Sequence, residues 1–157
     1  MPNPIRLHWD FILPTRDLHA AWDVFSDTDR FSRSAALGFQ FSAEVDDAGQ
    51  GVQTGNIRRM GVKIRWEEEP FEFEAPRWFR IARHFFNGPV ALAETELQLS
   101  EEVDGIRFNY TVALTARNRL THPIVYVDAQ AGLKPTLQKT IDKALRHLVD
   151  GSAPWGG

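Results

Sequence analysis

The sequence predicts an α+β fold: a curved antiparallel sheet of about seven strands closed around a long C-terminal helix, with two short helices after the first strand. Three observations lead there. Apolar and polar residues alternate with a period of two through most of the middle of the chain. The alternating runs are separated by hairpin-sized turns, which makes neighbouring strands antiparallel. Finally, Leu133, Leu137, Ile141, Leu145 and Leu148 recur at helical spacing near the end.

The elements follow in order. Leu7, Trp9, Phe11 and Leu13 alternate with polar neighbours and form a first strand that Pro14 stops. Thr15 then serves as N-cap for a helix over Arg16–Phe25, with Leu18, Ala21, Trp22 and Phe25 on one face. Ser26-Asp27-Thr28-Asp29 interrupts it and caps a second short helix through Phe31 to about Ala35. Phe39, Phe41, Ala43 and Val45 mark the next strand, and Met60, Val62, Ile64 and Trp66 another. Extended stretches follow over Phe71–Glu74 and Trp78–Phe86. Asn87-Gly88-Pro89 turns the latter into Val90–Ser100, and Asp104-Gly105 turns that into the strand carrying Ile106, Phe108, Tyr110, Val112 and Leu114. Pro135 suits the first turn of the closing helix, where a missing N–H costs little, and Gly151 follows as a stop. His122–Ala131 reads either as a separate helical turn or as the first part of one kinked helix. Residues 1–150 therefore form one domain and 151–157 a loose tail.

Composition narrows the function. The 157 residues include 11 Phe and 5 Trp but no Cys, which excludes a disulfide scaffold, thiolate metal site or cysteine nucleophile. Eighteen basic and 21 acidic side chains leave a formal charge of −3, the wrong sign for broad nucleic-acid or anionic-membrane binding. No apolar run approaches a membrane span, so no integral membrane partner is expected. The first residues lack the apolar run of a secretory signal, so a cytoplasmic protein is expected. His8, His19, His84, His122 and His147 show no metal-ligand spacing, so neither a metal nor another cofactor is expected.

The element order resembles the START-like superfamily (SRPBCC), whose helix-grip fold includes polyketide cyclase/dehydrase-like proteins and lipid-transfer domains. The resemblance runs from Ile5 to about Val149. More local similarity lies in Trp22-x-x-Phe25-Ser-Asp-Thr-Asp-Arg30-Phe31 and in Trp66-Glu-Glu-Glu-Pro-Phe71-Glu-Phe. It continues in Pro76-Arg77-x-Phe79-x-x-x-Arg83-x-Phe85-x-x-Gly88-Pro89. These segments look like a bacterial branch, sometimes found as the N-terminal domain of larger proteins. The resemblance implies a ligand cavity between sheet and C-terminal helix, with Phe31 near its mouth. It says little about which of the superfamily's many functions applies.

Arg83 is the residue most in need of an explanation. If Phe79, Ile81 and Phe85 point inward, the strand period puts Arg83 inward as well. A buried guanidinium needs a carboxylate or an anionic ligand. Glu68, in phase with Trp66 before Pro70 breaks the strand, is one partner; Glu94 and Glu96 across the hairpin are others. The opposite phase (Trp78, Arg80, Ala82, His84, Phe86) is nearly as apolar, so alternation leaves the facing of this strand open. Read as a site, Arg83 clamps a ligand carboxylate or phenolate; read as structure, it forms an internal ion pair. Trp66, Phe71, Phe73, Trp78, Phe85, Phe108 and Tyr110 are the candidate aromatic lining, and the Tyr110 hydroxyl needs a partner such as a ligand oxygen or a water.

Three functions compete. The first is binding of a hydrophobic or aromatic small molecule, lipid- or polyketide-like, by Trp66, Glu68, Phe71, Trp78, Arg83, Phe85, Phe108 and Tyr110. The second is a cyclase or dehydratase in which His84 or Glu94 moves protons while Arg83 stabilises an enolate. The third is a regulatory domain that pairs with an effector domain or with itself as a homodimer.

Overall fold

Twelve residues, Gly105–Ala116, form the strand around which the rest is organised. Ile106, Phe108, Tyr110, Val112 and Leu114 turn to one face and are buried, as their alternation requires. In this computed structural model, which describes residues 3–26, 40–45, 51–59, 62–69 and 72–150, it is the last of eight strands. They are β1 (Ile5–Leu13), β2 (Gln40–Val45), β3 (Gly51–Arg59), β4 (Val62–Glu68), β5 (Glu72–Glu74), β6 (Trp78–Phe85), β7 (Val90–Glu102) and β8 (Gly105–Ala116). The sheet runs β1-β8-β7-β6-β4-β3-β2, with β5 paired to β6. All the pairings are antiparallel. The additional strand is β3, which lacks the alternating pattern of its neighbours.

Because β1 and β2 lie at opposite edges, the chain between them must pass from one edge to the other. That passage begins with helix α1 (Leu18–Phe25), which buries Leu18, Ala21, Val24 and Phe25. Its cap is Asp17 rather than the expected Thr15: the Asp17 carboxylate accepts from the Ala20 N–H at 3.0 Å. Thr15 instead accepts from the Asp17 N–H, so it shapes the entry to the cap. The expected second short helix, with Phe31, lies outside the described residues, as do Phe71 and the 151–157 tail.

Two turns fix the register beside the site. At the β6–β7 turn Gly88 adopts φ +88°, a conformation that favours glycine. The Asn87 side chain extends the edge of β4, accepting from Arg65 N–H at 2.9 Å and donating to Lys63 O at 2.8 Å. Arg117, just past β8, clamps the same turn by donating to the carbonyls of Phe85, Gly88 and Val90. The β7–β8 turn comes one residue earlier than expected: Val103 and Asp104 form it, and Gly105 already pairs with Glu102.

The C-terminal segment is one continuous helix that widens part-way along. Helix α2 (His122–Val127) leads through a π-helical stretch, Asp128–Leu133, into α3 (Lys134–Asp150). A widened turn at this point is understandable, because Pro135 cannot donate to a carbonyl one turn back. Leu137, Thr140, Ile141 and Ala144 of α3 are buried. Trp9 of β1 donates from Nε1 to Gln138 Oε1 at 2.7 Å, tying the helix to the sheet edge. Under α1 and α3 the aromatic core is dense: Phe108 has Phe11, Phe25 and Tyr110 within 5.0, 4.7 and 5.8 Å between ring centres. No helix among the described residues is long and apolar enough to cross a membrane.

Candidate functional site

The facing of β6, which alternation alone leaves open, is resolved by what each phase packs against. Phe79 and Ile81 belong to the core beneath the helices. Arg83 and Phe85 share their phase and therefore project to the helix side. Residues of the other phase, Trp78, Arg80, Ala82 and His84, lie on the outer face, opposite Gln98, Glu96, Glu94 and Leu92 of β7.

The candidate site is built where β4 and β6 pair. Trp66 stands opposite Phe85 and Glu68 opposite Arg83. The two rings lie 5.5 Å apart, tilted by 50°. Arg83 donates from Nε to Glu68 Oε1 at 2.7 Å, with only 14% and 10% of the two side chains exposed. Its guanidinium carbon also sits 5.6 Å from the centre of the Trp66 ring, close enough for a cation–π attraction. Trp66 has no exposed surface. A charged pair is thus held against the Trp66 ring, with water largely removed.

Across β7 the polar groups continue. Ala93 stands opposite Arg83, and Thr95 opposite both Ile81 and Val112. Thr95 is hydrogen-bonded to the Tyr110 hydroxyl and takes the place of the expected ligand oxygen or water. Burial pushes the Tyr110 phenol well above the usual tyrosine range, although the Arg83 charge and the Thr95 hydrogen bond pull the other way. It is therefore a neutral hydroxyl at any physiological pH. Ala93 and Thr95 are only half-buried despite lying on a central strand.

Not every expected residue joins this group. Trp66, Glu68, Arg83 and Phe85 are brought together, and Tyr110 approaches from β8. Phe108 has no exposed surface and is enclosed by neighbouring rings, so it is core rather than lining. Trp78 lies on the outer phase of β6, which removes it from the aromatic group. Phe71 lies outside the described residues, and Phe73, on the exposed strand β5, faces solvent and is not lining.

The acid–base set does not assemble. His84 is on the outer face, 54% exposed, with Nε2 3.3 Å from Glu69 Oε1. Glu94 is on the same outer face, accepting from Arg80 Nη2 at 3.0 Å. Arg80 also donates to Glu69 at 3.2 Å. Hydrogen bonds from His84 and Arg80 hold the Glu69 carboxyl below its ordinary value. These residues form a solvated charge network beside an open groove of about 180 Å³ lined by Arg6, Arg80, Glu94 and Thr111 among others. The sheet separates them from Arg83. Among the described residues no three His, Asp or Glu side chains are grouped to hold a metal ion.

No protein-family model and no curated protein matches the chain by sequence. Solved structures do match along nearly its whole length. TTHA0849 from Thermus thermophilus has a TM-score of 0.60 at 13% identity, over 95% of this chain and 100% of that one. The ZhuI aromatase/cyclase from Streptomyces sp. R1128 also has a TM-score of 0.60, at 11% identity, over 96% of this chain and 99% of that one. Major latex-like protein 151 from Panax ginseng has a TM-score of 0.55 at 11% identity, over 94% and 99%. At these identities the likeness speaks to fold alone. With its antiparallel sheet and its long closing helix, the chain has a helix-grip fold.

Proposed function

We propose that the chain binds a small hydrophobic or aromatic molecule between the sheet and the long helix, beside Trp66, Phe85 and Arg83. One observation carries the reading: a desolvated Arg83–Glu68 pair lies next to a stretch of central strand, Ala93 and Thr95, that is small and half-buried. An apolar space with a few converging polar groups is the usual make-up of a small-molecule site. Trp66 and Phe85 would supply ring surface, while Arg83 and the neutral Tyr110 would orient the guest. The aromatase/cyclase among the structural relatives supports an aromatic guest.

Binding rather than turnover is proposed because His84 and Glu94 project from the opposite face of the sheet. The Glu68 carboxylate beside Arg83 is already engaged. Native mass spectrometry of the protein purified from its own source tests this reading. A co-purifying small molecule, lost on Trp66→Ala substitution, is expected. The reading fails if the native protein carries no adduct and 2-naphthol shows no calorimetric binding up to ~1 mM, a ceiling equivalent to about −4 kcal/mol.

A further inference from the structure

We infer that this site selects uncharged guests bearing a hydroxyl or carbonyl and discriminates against carboxylates, because Arg83 arrives already neutralised. The inference rests on the binding reading above and specifies its guest. From sequence, an inward arginine on an aromatic strand looks like an anion clamp. In the fold, its Nε meets Glu68 Oε1 at 2.7 Å, and the register that places Glu68 opposite Arg83 fixes both side chains on one face. A guest carboxylate set against that guanidinium would share it with Glu68, giving the site a net negative charge. The two carboxylates would repel strongly, since little water is present to screen them. Displacing Glu68 instead would leave it poorly solvated and unpaired.

The polar groups that β7 and β8 bring toward Arg83 carry no charge. Thr95 and Tyr110 are hydroxyls bonded to each other, and each can both donate and accept. Trp66 already faces the guanidinium, so the cation is satisfied on its π side as well. Among the described residues the wall formed by Trp66, Glu68, Arg83, Thr95 and Tyr110 is rich in hydrogen-bonding groups and its two charges offset, which suits a phenol, alcohol or ketone on an aromatic frame.

The test is calorimetric binding by the full chain of three naphthalenes of matched shape: 2-naphthol, 2-acetylnaphthalene and 2-naphthoate, at neutral pH. The two neutral compounds are expected to bind at least about tenfold more tightly than naphthoate. Glu68→Gln keeps an acceptor for Arg83 Nε but removes the negative charge. That variant should raise the affinity for naphthoate relative to naphthol about tenfold or more. If it fails to fold, Glu68→Gln/Arg83→Gln replaces it; with both charges gone, the preference for neutral guests should persist. Wild-type protein that binds naphthoate as well as naphthol overturns the inference while leaving the binding reading intact. So does a folded Glu68→Gln variant with no gain for naphthoate relative to naphthol. Failure of all three compounds to bind overturns the binding reading, and this inference with it.

Discussion

Replacing Arg83 by Met leaves the Glu68 carboxylate without its partner on the helix-facing side of the sheet. Two limits bracket the cost. Breaking a buried pair by removing one member costs about 3–5 kcal/mol, whereas an exposed pair is worth roughly 0.2–1 kcal/mol. With 14% and 10% side-chain exposure, this pair sits close to the buried limit but not at it. The expected cost is therefore about 3 kcal/mol. Losing the guanidinium over Trp66 forfeits about 0.5–1 kcal/mol more, which the flexible Met side chain partly offsets by contact with the ring. For a chain of 157 residues, about 1 kcal/mol moves Tm by roughly 2–4 °C, so Arg83→Met should melt about 6–12 °C low. Glu68→Met should also destabilise, by removing the carboxylate that Arg83 Nε meets at 2.7 Å. The double variant, with both charges gone, should recover most of the loss, so the two single costs should be far from additive. Urea unfolding followed by tryptophan fluorescence, with thermal melts as a second probe, measures all four corners of the cycle. Single-variant costs below about 0.5 kcal/mol, or costs that simply add, would show that water screens the pair. That result would remove the dry wall on which the site depends.

Further expectations concern the surrounding frame. Asp17→Ala removes the carboxylate that caps α1 and should cost about 1 kcal/mol in urea unfolding. Gly88→Ala forces a side chain into φ +88° with its Cβ 3.2 Å from Ile64, and a loss of about 1–2 kcal/mol in the same assay is expected. Tyr110 gives a pH signature. Its folded value is raised by burial, so above about pH 10 the unfolded chain releases the phenolic proton while the folded chain keeps it. Stability should therefore fall as pH rises through that range, and Tyr110→Phe should lessen the slope; an unchanged slope would contradict the buried placement.

Much of the frame is legible in the sequence because one buried face imposes a period of two. β1 and β8 show it most clearly, and their register, Ile5 opposite Leu114 through Leu13 opposite Ile106, brings the two apolar phases together. β3 escapes because Gly51-Val-Gln-Thr-Gly-Asn-Ile-Arg-Arg59 has no alternating apolar set. It forms a strand because it has partners on both sides, in β2 and β4, so tertiary pairing overrides a weak local signal. Pro135 signals an irregular helix, but proline alone does not say whether a helix breaks, bends or widens; here it widens over Asp128–Leu133. Thr15 looks like the cap because it follows Pro14 directly; the chain needs two more extended residues before it can turn, which hands the role to Asp17.

The site is legible in its chemistry and illegible in its facing, and β6 shows why. It is apolar on both phases: Phe79 and Ile81 are buried on one side and Ala82 on the other. Side-chain type cannot then decide which phase meets the helix; only the neighbouring strands can. Arg80 and Arg83 stand three residues apart, an odd offset, so the pleat sends them to opposite faces. On the outer face Arg80 has Glu69 and Glu94 at 3.2 and 3.0 Å beside an open groove, where solvent screens every charge. On the inner face Arg83 has Glu68 at 2.7 Å, little water and the Trp66 ring. The same residue type therefore contributes an exchangeable surface network in one case and a fixed, directional contact in the other. An even offset would have placed both guanidiniums on the inner face beside Glu68. One positive charge would then have been left over, and the space would have called for an anionic guest. With the odd offset the inner pair balances, and the chemistry offered to a ligand is hydrogen bonding without net charge.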